Sequence, residues 1–277
     1  MKRILKTLLW GVIILALTVF IYSAWRAISI YGGYRSAEKR YDSLAQSVTA
    51  QGAEDGSGGE SGAAAQDAPV RPDGQPEEGA ETAPVYAENS PVYVDFDELK
   101  ELGPDVIGWI YLPDTVINYP VVRAQDNEYY LTRFIDGRES SGGSIFADCA
   151  CAPDFSGRNT ILYGHNMRNG SMFAPVALYA EQDYYDAHPV MYINTPTQNY
   201  KLVIFSGFTT QAETFAYQTE FASDQEYAEF LSAVCRLSDI KCGVVPGPEA
   251  RIVTLSTCVY VFDDARFLLF GYLVPIG

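Results

Sequence analysis

Hydrophobic positions are continuous near the N-terminus, sparse through a long middle stretch, and broken into short alternating runs beyond it. The first regime, Thr7–Trp25, holds no charged residue. A helix of that length spans about 28 Å, close to the roughly 30 Å hydrocarbon core of a bilayer. Trp10, Tyr22 and Trp25 stand towards its two ends, where amphipathic rings favour the membrane interface. Lys2, Arg3 and Lys6 precede the run and Arg26 closes it. The run is long for the core of a signal peptide, and Trp25 and Arg26 spoil the cleavage site that Ala24 and Ala27 could form. An uncleaved transmembrane helix is therefore expected, with residues 1–35 as a cytoplasmic basic end and anchor. The positive-inside rule places the N-terminus in the cytoplasm and the rest outside, although Arg26 and Arg35 reduce the asymmetry.

The second regime, residues 36–90, reads as a low-complexity acidic tether. Residues 28–48 can continue as a short charged helix before it. From Gln51 to Thr82 there is one Val and no aromatic residue, too little apolar surface to offset the entropy of ordering. The third regime, 91–277, is the body and is expected to fold without what precedes it. Its short runs are Gly108–Leu112, Ile117–Val122, Gly143–Ala147, Thr160–Tyr163, Val190–Ile193, Tyr200–Phe208, Arg251–Cys258 and Phe267–Val274, separated by Gly/Pro-rich turns. Such spacing predicts a mainly β barrel or sandwich. Helical patterning is confined to Phe96–Leu102, Asp126–Phe134 and Asp224–Leu237. In the last, Ser223 or Asp224 can cap a face of Tyr227, Phe230, Leu231 and Val234.

Charge changes the picture in one respect. The net charge of the 277 residues is -16, distributed as +5 over residues 1–35, -8 over 36–90 and -13 over the body. So acidic a body lacks the basic surface that nucleic acid requires. The two histidines, His165 and His188, leave a Cys/His metal site without enough ligands, and no cofactor is expected. Cys149 and Cys151, one residue apart, are poorly spaced for a disulfide. Cys235 and Cys242 could pair if the helix end folded back, but four free thiols are the favoured state.

Chemistry concentrates in Arg251-Ile-Val-Thr-Leu-Ser-Thr-Cys258. In a strand, Val253, Leu255 and Thr257 share one face, while Ile252, Thr254, Ser256 and Cys258 share the other. Arg266 opens the next run after a short loop. If the two runs are antiparallel neighbours, the guanidinium returns beside the thiol, an electropositive setting that favours a reactive thiolate. A nucleophilic Cys also needs an acid for the leaving amine. His165, in Ile161-Leu-Tyr-Gly-His-Asn-Met167, sits at a strand end, whereas His188 precedes Pro189 and reads as a turn residue.

Thr254-Leu-Ser-Thr-Cys258, Arg266 and the upstream Tyr163-Gly-His-Asn-Met167, in that order behind an N-terminal anchor, resemble the sortases, cysteine transpeptidases of Gram-positive cell surfaces. The helix at Asp224–Leu237, Ile117-Asn-Tyr-Pro-Val121 and Gly143-Ser-Ile-Phe146 resemble class B. The pilin-assembling class is disfavoured, since Asp95-Phe96 lacks the Pro of its lid and no second apolar segment follows the body. The resemblance implies an eight-stranded β-barrel with a few peripheral helices. His165, Cys258 and Arg266 would be catalytic, at one end of a groove to which Ser256, Thr257, Tyr217, Asn118 and Tyr163 could contribute. Ser256 shares the face of Cys258, and Thr257 is expected to pack inward. The implied partners are surface proteins with a C-terminal sorting signal of NPxTx or [SP]PxTG type, a peptidoglycan precursor amine, and the bilayer through residues 7–25. The implied location is the cell membrane, single-pass, with the body extracellular. The non-enzymatic alternative is a tethered adhesin or receptor domain with an inert Cys258.

Overall fold

The computed structural model describes residues 2–51 and 90–277. The tether expected at 36–90 therefore lies outside the described residues from 52 to 89. A single helix, α1 (Lys2–Val48), carries the apolar run and continues well past it. It is long and apolar enough to cross a membrane. Trp10, Leu15, Phe20 and Trp25 are more than half exposed among the described residues.

The far end of α1 corrects the expected boundary at residue 36. Ala37, Tyr41, Leu44, Ala45 and Val48 are buried against the body, at the three- and four-residue spacing of one helical face. The chain then forms β1 (Thr49–Gln51), antiparallel to β2 (Val92–Val94), and Asp95 N–H donates to the Val48 carbonyl at 2.8 Å. Residues 37–51 thus belong to the folded body. Their apolar positions are few and embedded in charge, so a composition reading passes over them.

Asp95 caps α2 (Phe96–Leu102) by accepting from the backbone N–H groups of Asp97 and Glu98. The barrel follows: β3 (Val106–Tyr111), β4 (Asn118–Val122), β5 (Ile145–Ala147) and β6 (Asn159–Tyr163), then, after a short helix α3 (Gln182–Ala187), β7 (Val190–Asn194) and β8 (Asn199–Gln211). Helix α4 (Asp224–Leu237) precedes β9 (Ile252–Cys258) and β10 (Ala265–Ile276). The sheet closes in the order β10-β8-β7-β3-β4-β5-β6-β9. The pairs β4–β5 and β6–β9 are parallel and the others antiparallel. All eight expected runs become barrel strands.

Two apolar layers hold the strands that matter for the site. Val253, Leu255, Phe267 and Leu269 point into the main core. The opposite face of β9 and β10, with Ile252, Leu268 and Phe270, is covered by Tyr227, Phe230, Leu231 and Val234 of α4. Ser223 caps α4 by accepting from Glu226 N–H. β9 is therefore buried on both faces until Cys258, its half-exposed last residue.

Asp126–Phe134 does not form the expected helix. Asp126 accepts from Glu128 and Tyr129 N–H, but only Tyr129–Leu131 makes a helical turn, of the tighter 3₁₀ kind. Beyond it Phe134 N–H turns to the Arg138 carbonyl and Arg133 bridges Glu139, so tertiary pairing takes the backbone groups a helix would need.

Candidate active site

Strand register brings Cys258 and Arg266 together: they are directly paired across β9 and β10, with Thr257 opposite Phe267 and Ser256 opposite Leu268. Directly paired side chains on one face have Cβ atoms roughly 4.5–5.5 Å apart. β6 lies parallel to β9 on the other side and ends at the same level, Tyr163 opposite Ser256. The segment after β6 therefore emerges beside the thiol and carries His165 with it. A cleft of about 380 Å³ opens there, lined by His165, Cys258 and Arg266 and by Tyr163, Tyr217, Ser256 and Thr257. His165 and Cys258 are both half-buried.

Hydrogen bonds from the residues around His165 fix its segment to the Cys strand. Gly164 N–H donates to the Ser256 carbonyl at 3.2 Å, and Asn166 Nδ2 donates to the Cys258 carbonyl at 2.8 Å. In return, Thr257 Oγ1 donates to the Gly164 carbonyl at 2.8 Å. Gly164 has no substitute here, because a Cβ would lie 2.6 Å from Ile145 and Phe173. The imidazole itself is held by His165 Nε2, 2.7 Å from the Leu131 carbonyl. A carbonyl can only accept, so Nε2 carries a proton. Nδ1 is the nitrogen left to exchange one.

The hydroxyls of the cleft are committed. Tyr217 OH and Ser256 Oγ are 2.8 Å apart. Burial pushes the Tyr217 phenol up, the Ser256 bond opposes this, and Arg266 draws it down further. Tyr163 OH donates to Asp148 Oδ2 at 2.8 Å, and Asn127 Nδ2 donates to the same oxygen at 2.9 Å. Burial, then the Asp148 charge, raises the Tyr163 phenol strongly, so it stays a neutral donor. Arg266 is free of carboxylates: among the described residues its guanidinium bonds only the Ala265 carbonyl, at 3.1 Å, and no ion pair forms with Asp263 or Asp264.

Of the residues read from the sequence, Asn118 is not brought to the cleft. It accepts from Trp109 Nε1 at 2.7 Å and begins β4, whereas Val122, at the other end, is the residue level with Phe146 and Tyr163. Four residues of strand separate the two levels by about 13 Å. Thr257 reaches the cleft wall while spending its hydroxyl on Gly164. His188 is elsewhere, its ring tilted against Tyr184 with Nδ1 3.0 Å from that residue's carbonyl. Asn127, Leu131, Phe146 and Ala212 line the cleft without a warning in the sequence. Leu131 contributes a main-chain carbonyl, for which side-chain chemistry carries no signal. All five cysteines are free thiols. Burial raises Cys151, Cys235 and Cys242, the last to about 11.

No family model matches the chain. It is 34% identical over 188 residues to Sortase B of Listeria monocytogenes serovar 1/2a, covering 67% of this chain and 76% of that protein. The structure of a Staphylococcus aureus sortase B–substrate complex is similar with a TM-score of 0.63 at 32% identity, covering 66% of this chain and 85% of that one. A structure of Sortase B complexed with triglycine has the same TM-score and identity, over 66% of this chain and 86% of its own.

Proposed function

The chain belongs to the class B sortases, and from this premise we propose that it is a membrane-anchored transpeptidase that cleaves a C-terminal sorting signal and transfers the new carboxyl end to a cell-wall amine. The observation that carries the reading is the ladder pairing of Cys258 with Arg266 in a cleft shared with His165. Cys258 Sγ, as thiolate, attacks the carbonyl carbon of the signal's Thr, and the carbonyl oxygen becomes an oxyanion. The Arg266 guanidinium, which bonds no carboxylate among the described residues, donates to that oxygen. The intermediate collapses with rupture of the C–N bond, and His165 Nδ1 gives its proton to the departing amine. The product is a thioacyl-enzyme. An amine acceptor then attacks the thioester, His165 Nδ1 takes its proton, an amide forms and the thiolate leaves. Nε2, held by Leu131, stays protonated throughout and keeps the ring in register.

The signal is of the NPxTx or [SP]PxTG type, and the acceptor is an amine of a peptidoglycan precursor. One related structure holds a substrate and another triglycine, which supports a substrate-binding cleft and an amine acceptor in general terms. The apolar part of α1 anchors the enzyme, with the short basic end in the cytoplasm and the barrel outside. Fluorogenic sorting peptides, with and without an amine acceptor, test this directly. Cys258→Ala and His165→Ala are each expected to abolish cleavage, and His188→Ala to leave it intact. Equal loss from His188→Ala in a folded protein would remove His165 from its role.

A further inference from the structure

We infer that Tyr41, on the membrane-proximal helix, is a positioning residue for His165. The inference rests on His165 being the acid–base group. Two packed routes lead from the Tyr41 side chain to that imidazole. On the first, Tyr41 OH donates to the Gly143 carbonyl at 2.6 Å and lies 3.0 Å from Ser144 Oγ. Ser144 Oγ is 2.8 Å from the Arg133 carbonyl, and Ser144 N–H donates to the Tyr130 carbonyl at 2.9 Å. These contacts fix both sides of Leu131, whose carbonyl holds His165 Nε2. Gly143 meets the same carbonyl so closely that a Cβ on it would lie 2.4 Å from the Leu131 oxygen, and its φ of +56° favours Gly in any case. On the second route, the Tyr41 ring packs edge-on against Tyr119, centroids 5.1 Å apart. Tyr119 OH accepts from Met172 N–H at 3.1 Å, and the next residue, Phe173, donates its N–H to the His165 carbonyl at 2.9 Å. Ring and backbone of His165 are thus both tied to one buried phenol on the anchor helix.

Displacement of a reacting group by a remote change can cost up to about 10²-fold in rate. Tyr41→Phe keeps the buried ring and removes only the hydroxyl. The two histidines of the full-length, histidine-labelled protein in detergent micelles give two distinguishable imidazole signals. Tyr41→Phe should shift the His165 signal, leave that of His188 in place, and lower kcat by about tenfold with KM nearly unchanged. Ser144→Ala breaks the same route from its other end and should move the same signal. Leu44→Ala, on the same helix, removes buried packing but none of these bonds. It should lower Tm while leaving both signals and kcat at parental values. Parental His165 signals and kcat in both Tyr41→Phe and Ser144→Ala, or an equal shift in Leu44→Ala, would overturn the inference. Failure of the underlying reading looks different, since His165→Ala would then still cleave.

Discussion

Arg266 faces Cys258 across the ladder, yet among the described residues its guanidinium has only a backbone carbonyl to bond. A cation kept beside a thiol without a carboxylate is available to charge that develops during reaction. Arg266→Lys keeps the charge and loses the planar fork of donors. If the guanidinium serves the oxyanion, the loss falls on kcat, by roughly 10²–10³, because the charge exists only in the tetrahedral intermediate. Steady-state kinetics with a sorting peptide decide it, and a kcat within about threefold of the parent removes Arg266 from the chemistry. The pairing is legible in the sequence, because strand alternation puts Cys258 and Ser256 on one face and a short loop returns Arg266 to them. Asn118 entered through the resemblance of its segment, and likeness of a short segment does not say which end of the barrel a residue occupies. The Leu131 carbonyl is invisible to both, since it acts through the main chain.

At the scale of elements, α4 shows what local pattern can deliver. Its apolar face and its limits follow from the sequence, which leaves the cap to Ser223 or Asp224; the structure caps it with Ser223 and lays that face on β8 and β10, with Ile252 of β9. Asp126–Phe134 carries a comparable pattern and fails as a helix, because the partners of its backbone lie in residues 138–144, which local periodicity does not see. α4 packs on Phe205 and Phe208 of β8, Leu268 and Phe270 of β10 and, of β9, Ile252, and its residues are absent from the cleft lining. Its contribution is therefore to stability. Ser223→Ala removes the acceptor of Glu226 N–H, which lies 3.1 Å from the Ser223 hydroxyl. Loss of such a cap costs about 1 kcal/mol, and for a domain of this size that lowers Tm by roughly 2–4 °C. Calorimetry should show that fall with kcat within about twofold of the parent. A large fall in kcat at unchanged Tm would mean that α4 reaches the site.

On the scale of the whole molecule, the structure joins two parts that composition separates. Basic anchor, acidic stretch and barrel differ so sharply in residue usage that a boundary near 90 follows naturally, yet Tyr41, Leu44 and Val48 are core residues. A chain starting at Ser36 keeps these residues and the β1–β2 pair, whereas one starting at Pro91 loses both. Full burial of a large apolar side chain contributes about 1.5–3 kcal/mol, so three of them approach the 5–15 kcal/mol by which whole domains are stable. The net loss is smaller, because a deleted helix no longer has to be ordered. It still exposes the faces of Tyr119 and Phe134 on which Tyr41 packs. The chain from Ser36 is therefore expected to be soluble, to melt close to the parental body and to cleave peptide at a comparable rate. The chain from Pro91 should melt lower by about ten degrees or more, at roughly 2–4 °C per kcal/mol, and lose kcat beyond what its stability explains, because the segment that holds His165 has lost its support. Thermal melts and peptide kinetics on the two truncations, assayed well below both midpoints, separate the effects. Equal melting and equal kcat would return residues 36–51 to the role of a tether.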